Sequence, residues 1–511
     1  MRSFLTKRDG FYLLLALGVV ALYVITADGG FPLDDSWIHQ VYARNLADLG
    51  EWSFIVGEPS GASTSPLYTV ILAAGYVLNV PCALWAHLLG ALALGISGIV
   101  AARLADRLLP YETFTSTITG VAVILSWHLI WAAAAGMETM IFSMFSLIVV
   151  YLLWRELDHL SQETSHVMLR GNVFGICVAM MTLTRPEGIL LGGICGALLL
   201  IIRPHGSLKS AILWGLGAAI GFGVFISPYI ILNLSLNGSV LPATSDAKYA
   251  QHAPLLETNY LLRLLSMTIP IIAGGQFILL PGVAYYVRRV WQQARADSRI
   301  WFYSVPFLWM IGLIALYAAR LPAAYQHGRY VIPIVPLMVV IGVIGTVMMV
   351  RHFYNKTIPR VVSVTLAISA VFAFLYFGLA LGADVYSTDV AIIDEEMVSS
   401  AQWIAVNLPE NELLAVHDIG AVGYFAPRPI LDIAGLISPD VVPIYHNADA
   451  LWALMQDRDA QYLMAFPDQI PGDTTEDPRL CPIFQSAGRT SYNLGGPKMI
   501  VYRIDWSGNC P

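Results

Sequence analysis

Eleven apolar runs of roughly bilayer-crossing length follow one another along the chain. They lie near residues 11–27, 82–102, 114–133, 139–154, 171–184, 188–202, 211–234, 264–287, 301–319, 330–350 and 361–383. A helix of about 20 apolar residues can cross hydrocarbon because it pairs every backbone N–H and C=O internally. Composition agrees: of 511 residues, 57% are hydrophobic and only 12% are charged, about half the charged share of a soluble protein. The fold class expected is therefore a polytopic α-helical membrane protein. Runs 171–184 and 188–202, on either side of Arg185, are short, which predicts tilted or partly re-entrant helices there. Segment 66–80 is apolar but shorter still and reads as an interfacial helix. It lies inside a first external loop of residues 28–81, long for a bundle connection and so a candidate for function.

Charge divides the chain in two. Residues 384–511 carry 18 Asp+Glu against 6 Lys+Arg, whereas residues 1–383 carry 17 against 22. Lys and Arg are retained on the cytoplasmic side of a membrane. With the N-terminus inside, sixteen of the 22 basic residues fall inside: Arg2, Lys7, Arg8, Arg103, Arg107, Arg155, Arg170, Arg203, Lys209, Arg288, Arg289, Arg295, Arg299, Arg351, Lys356 and Arg360. Only Arg44, Arg185, Lys248, Arg263, Arg320 and Arg329 fall outside. Eleven crossings then place the acidic tail outside a multi-pass cytoplasmic-membrane protein. The first 27 residues also have the shape of a secretory signal, whose removal would leave the later topology unchanged. No basic tract suggests nucleic acid.

The tail, 384–511, reads as an extracytoplasmic α/β domain following a membrane domain of residues 1–383. Helical spacing over Met397–Asn407 is followed by strand-like runs at Leu413–Val416, Ile430–Ile433, Tyr462–Phe466 and Met499–Ile504. Gly420 and Gly423 mark a turn or helix start, without dinucleotide-binding spacing. Cys82, Cys177 and Cys195 lie in apolar runs as small core residues. Cys481 and Cys510 lie in the external domain, where an oxidising compartment favours a disulfide. No Cys/His group has zinc-ligand spacing.

The first loop opens with Phe31-Pro32-Leu33-Asp34-Asp35-Ser36 ahead of a helix. An acid or Ser36 can cap that helix and meet its positive end, but capping accounts for one carboxylate and not two. Side by side, one can accept a proton from an attacking hydroxyl. The other can orient the acceptor or bind a divalent metal, a role open to Asp35.

Asp34-Asp35, the following Tyr42-Ala43-Arg44-Asn45-Leu46-Ala47, Gly57-Glu58-Pro59 and Thr64-Ser65-Pro66-Leu67 together resemble the first external loop of the GT-C glycosyltransferases. Within that superfamily the resemblance is strongest to mycobacterial-type terminal arabinofuranosyltransferases and their uncharacterised bacterial relatives. Arg185-Pro186-Glu187-Gly188 and Gly328-Arg329-Tyr330 support it. The resemblance implies transfer of a sugar from a polyprenyl-phosphate donor to an extracytoplasmic glycan, lipid or protein acceptor. By position it implies Asp34 as catalytic base and Asp35 as a neighbour of variable role. It does not fix the sugar.

Glu138 opens the fourth span on the external side, where it reads equally as a second acid facing the site or as a helix-end acid. Arg185 and Glu187 lie at an external turn and can satisfy each other. Arg329 and Tyr330, with His327 and Arg320 nearby, sit outside against the charge trend. They read as interfacial anchors or as a clamp for the carrier phosphate, which Arg binds through two parallel donors. Arg44 joins the substrate-binding candidates through the same loop. Such a transfer draws its energy from the activated donor, and the chain has no ATP motif. The rival reading is a transporter or lipid flippase with Asp34, Asp35 and Arg329 lining the path. It predicts inverted repeats, and no internal repeat is present.

Overall fold

The computed structural model describes residues 6–110, 112–157, 166–202, 208–240, 242 and 244–510. Arg2 and Arg203, counted above among the inside charges, lie outside these. All eleven apolar runs are helical. Helix α1 (Lys7–Thr26) leads to two helices of the first loop, α2 (Asp34–Leu49) and α3 (Pro66–Val77), around a short hairpin of β1 (Ser53–Ile55) and β2 (Glu58–Pro59). There follow α4 (Cys82–Leu108), α5 (Thr113–Ile124), α6 (Trp127–Ala134), α7 (Thr139–Glu156), α8 (Val167–Thr184), α9 (Gly188–Ile202) and α10 (Leu208–Asn237). After α11 (Thr244–Gln251) come α12 (Tyr260–Ile272), α13 (Leu280–Ala294), α14 (Val305–Arg320), the single turn α15 (Tyr325–Gly328), α16 (Val335–His352) and α17 (Thr357–Tyr376).

Among the described residues, eight helices are long and apolar enough to cross a membrane alone, and two bent pairs bring the number to ten. Helix α9, at 15 residues, is short, as the sequence around Arg185 predicts. The runs 114–133 and 264–287, expected as straight spans, are both broken: α5 meets α6 at 52°, and α12 meets the segment Gly275–Ala294 at 103°. Pro270 and the Gly274-Gly275 pair deny the second run a continuous ladder. The two breaks satisfy one another. Trp127 Nε1 donates to the Ala273 carbonyl at 2.8 Å and His128 Nε2 to the Pro270 carbonyl at 2.8 Å. Irregular backbone at membrane depth is tolerated where protein groups take up the freed carbonyls in this way.

The last span does not stop where the external domain was expected to begin. Residues Thr357–Asn407 form one continuous helix of 51 residues, in which α17, α18 (Gly382–Ile393) and α19 (Ser399–Asn407) are joined by π turns at Phe377–Leu381 and Asp394–Val398. Residues 383 and 384 therefore lie mid-helix. Beyond it stands a five-stranded sheet of order β4-β3-β5-β7-β6, made of β3 (Leu414–Val416), β4 (Ile430–Asp432), β5 (Tyr462–Ala465), β6 (Leu480–Gln485) and β7 (Ile500–Ile504). β3 runs parallel to β4 and β5, and β7 is antiparallel to both its neighbours. Helices α20 (Ile419–Phe425), α21 (Ala448–Asp457) and α22 (Thr490–Asn493) complete the domain.

Four strands match the runs read from sequence. β6 was not among them, and its Pro482 is accommodated because β6 is an edge strand. Cys481 on β6 is disulfide-bonded to Cys510. Glu396, in the second π turn, pegs the sheet to the long helix by accepting from Ser486 Oγ and from the Met499 N–H at 2.8 Å.

Candidate functional site

Asp34 and Asp35 form the first turn of α2, where their charge suits the positive end of the helix dipole. Successive helical residues point about 100° apart, so the two carboxylates enter different surroundings. Both oxygens of Asp34 accept backbone N–H groups at the start of α20: Oδ2 from Gly420 and Oδ1 from Ala421, each at 2.7 Å. This approach requires glycine at 420, since a Cβ there would collide with the Asp34 carbonyl. Burial, with the nearby charge of Asp418, pushes the Asp34 carboxyl up to about 7 despite those two bonds.

Arg44, nearly three turns further along α2, donates to the carbonyls of Tyr424 and Gly423 at 3.0 and 3.1 Å. Helix α2 thus grips α20 at both ends, an acid at its N-terminus and a guanidinium at its C-terminus, each matched to the local dipole. Arg44, expected to bind substrate, and Asp34, expected to be catalytic, thus both make their hydrogen bonds to the C-terminal domain.

Asp35 turns the other way, into a small chamber of about 20 Å³ that it shares with His39, Glu138, Arg185, Lys248, Arg329 and Tyr330. That volume holds about one water. Asp35 Oδ2 lies 2.6 Å from Arg329 Nη2. Burial raises the Asp35 carboxyl, but the charges of Arg329 and Lys248 outweigh it and hold the group well below the usual carboxylate range. The same cations make Asp35 a poor ligand for a divalent metal. Among the described residues no group of three or more His, Cys, Asp or Glu side chains could hold one, so the metal role considered for Asp35 does not fit.

The anion that balances Arg329 thus comes from the first loop. Arg329 is buried, with 6% of its surface exposed. Its Nη2 also donates to the Tyr330 hydroxyl at 3.0 Å, while its Nε and Nη1 have no hydrogen-bond partner among the described residues. The Tyr330 ring lies beneath three cations: Arg329 at 4.9 Å, Arg185 at 5.1 Å and Lys248 at 5.8 Å from its centroid. Glu138 accepts from Arg185 Nη1 at 2.7 Å, and His39 Nε2 lies 3.2 Å from its other oxygen. Arg185 Nη2 donates to the Tyr317 hydroxyl at 2.9 Å, and that hydroxyl donates to Glu187 at 2.6 Å. Arg185 and Glu187 are themselves 3.5 Å apart, so the self-contained pair expected at this turn is part of a wider network.

A second cavity of about 190 Å³ adjoins the chamber, sharing Thr64, Arg185, Thr244, Lys248 and Tyr330 with it and adding Glu187 and the exposed Arg320. His327 is elsewhere: its Nε2 lies 2.7 Å from Asp389 and its ring stands edge-on to Trp127 and Trp131. It lines neither of these two cavities. The sequence reading missed His39 and Lys248. Lys248 carried a usable signal, a lone lysine in an external connection, but it was counted only as a charge. The roof comes from Leu436 of the C-terminal domain. Gln251 donates to the Ala434 carbonyl at 3.0 Å and His446 to the Ala250 carbonyl at 2.7 Å, fastening that roof to α11.

A family profile described as a domain of unknown function, DUF8728, matches residues 388–502. No curated protein matches the chain. Among solved structures it is similar to ArnT from Cupriavidus metallidurans in the apo state, with a TM-score of 0.61 and 14% identity over 99% of this chain and 100% of that one. A further structure of that protein is bound to undecaprenyl phosphate. The oligosaccharyltransferase from Archaeoglobus fulgidus, tethered to an acceptor peptide, aligns with a TM-score of 0.60 and 10% identity over 98% of this chain and 74% of its own. The arabinofuranosyltransferase AftD from mycobacteria aligns with a TM-score of 0.54 and 16% identity over 98% of this chain and 40% of its own. The fold is that of the GT-C glycosyltransferases.

Proposed function

We propose that a chain with this fold and this chamber transfers a sugar from a polyprenyl-phosphate donor to an acceptor hydroxyl, with Asp35 as the base. The observation that carries the reading is the Asp35–Arg329 pair: a carboxylate beside a buried guanidinium that keeps two donor nitrogens unpartnered, at the end of a bundle of apolar helices. A forked guanidinium suits a desolvated phosphate, and Lys248 and Arg185 add charge on the same wall. Undecaprenyl phosphate bound to a protein of the same fold supports this donor class.

In the reaction the acceptor oxygen attacks the anomeric carbon as Asp35 takes its proton, and the bond from that carbon to the phosphate oxygen breaks. The departing polyprenyl phosphate carries its negative charge toward Arg329, Lys248 and Arg185. One displacement inverts the anomeric centre. Phosphate is a good leaving group, so no acid need protonate it. Paired with Arg329, Asp35 is a weak base. Donor phosphate drawing on Arg329 relaxes that hold, so donor binding itself raises the basicity of Asp35. Glu138 orients Arg185 and His39 rather than reacting.

The site end of the bundle faces outward and the N-terminus is cytoplasmic in this reading, with the acceptor, a cell-envelope glycan, lipid or protein, arriving beneath the external domain. The test is release of polyprenyl phosphate from a panel of labelled polyprenyl-phosphate pentoses and hexoses in membranes containing the protein. Turnover of one donor that is lost in Asp35→Asn is the expected result. Donors carried across the membrane intact would overturn the reading in favour of transport.

A further inference from the structure

Another cavity lies at the opposite end of the bundle from Asp35. It measures about 540 Å³, and the C-terminal ends of α4, α13 and α16 bring Arg107, Arg289, Gln293, Arg351, His352 and Tyr285 to its walls. Helix α16 begins beside the Asp35 chamber, and its Arg351 lies about 24 Å further along at 1.5 Å per residue. Among the described residues no acid lines the cavity. Arg351 is paired with Glu112 outside the wall, and the half-buried Arg289 has no carboxylate partner among the described residues. Helix C-termini carry about half a negative charge each, and Arg107, Arg289 and Arg351 set three guanidinium groups against the three that meet here.

Its depth is marked by aromatic side chains. Trp291, Trp301 and Tyr354 are exposed at this end, the placement of rings at the level of lipid headgroups.

We propose that this cavity binds the phosphate of an anionic lipid headgroup. A basic cavity between helices at headgroup depth meets a phosphodiester already held there by its acyl chains, and Arg289 and Arg351 supply charge-assisted donors to it. Apolar wall such as Leu108 and Met348 suits the glycerol end of the lipid. The inference is independent of the chemistry at Asp35.

The test uses the full-length protein, delipidated in detergent and titrated with short-chain phosphatidylglycerol, phosphatidylcholine or inorganic phosphate, with bound molecules read by native mass spectrometry. Expected is a preference of about tenfold for phosphatidylglycerol over phosphatidylcholine, reduced about tenfold in Arg289→Gln and abolished in Arg289→Glu. If those variants do not fold, Gln293→Glu, which adds an acid to the same wall, is expected to give the same loss. Equal binding of the two lipids, or an Arg289→Gln protein that still prefers phosphatidylglycerol, would overturn the proposal. Inorganic phosphate bound as tightly as the lipid would overturn the lipid source and assign the cavity to soluble phosphate.

Discussion

Asp34 and Asp35, joined by one peptide bond, hold partners of opposite kind: Asp34 grips the backbone N–H groups of α20, and Asp35 grips the guanidinium of Arg329. The pair therefore divides into a docking residue and a site residue.

Asp35→Asn is expected to lower kcat by about 10²–10⁴-fold, with the fold retained because the amide oxygen can still accept from Arg329. Asp34→Asn should keep measurable turnover. Steady-state rates for both variants check this, and the reverse pattern would return the base to Asp34.

Asp34→Ala should loosen the external domain, since it removes two bonds of about 1.5–3 kcal/mol each to a charged acceptor. Hydrogen exchange across 414–447 is expected to rise, and limited proteolysis should cut there first. The same group makes docking sensitive to pH. Its carboxyl rises from 3.8 to about 7 on folding, so the folded state binds the extra proton. The stability it contributes is full below about pH 4 and is lost as pH rises through 7, by at most ~4 kcal/mol. Thermal melts of wild type and Asp34→Asn, whose amide imitates the neutral carboxyl, should run together near pH 4 and separate as pH rises through 7, wild type losing stability relative to the variant once the general pH trend is subtracted.

Arg329→Ala should raise donor KM by tenfold or more, with little change in acceptor KM. It also leaves Asp35 without its main cation and so raises the carboxyl, which should shift the pH profile of kcat upward. Arg329→Lys keeps charge but loses the fork, and is expected to recover only part of donor binding. Unchanged donor binding in Arg329→Ala would remove the phosphate from this site.

The two ends of the bundle differ in the chemistry they present, and their sidedness can be read by labelling. A cysteine at 293 should react only after permeabilisation, whereas one at 255 or 475 should react in intact cells. Labelling at 293 from outside would invert the orientation, and with it the outward-facing site.

Much of this arrangement was legible in the sequence, because connections alternate between the two ends. Asp35, Glu138, Arg185, Lys248 and Arg329 come from connections assigned to one side, and they converge on one chamber. Arg107, Arg289 and Arg351, assigned to the other, converge on the second cavity. What could not be read was direction. Which of two adjacent acids faces the chamber depends on how α2 docks against α20, a contact between residues almost 400 positions apart. The anion that balances Arg329 lies far from it in the chain, in the first loop. His327, close to Arg329 in the chain, is turned toward Asp389 because Gln326, His327 and Gly328 all adopt positive φ. β6 carries Pro482 and a mostly solvent-facing pattern, so it lacks the apolar run that marked its neighbours.

The 51-residue helix Thr357–Asn407 has a mechanical consequence. A span joined to its domain by a loop can let that domain swing. This one transmits bending and torsion directly, as a stiff rod clamped in the bundle at one end and bolted to the sheet through Glu396 at the other. In the proposed reaction a chamber of about 20 Å³ widens to admit a sugar, and parting Leu436 from α11 is one way to widen it while the rod holds the sheet in place. The compliant points are the π turns at Phe377–Leu381 and Asp394–Val398, where the ladder is already widened. Opening then amounts to flexing a shaft at two joints, and it is the stiffness of those joints, rather than the length of any linker, that governs how far the roof can lift.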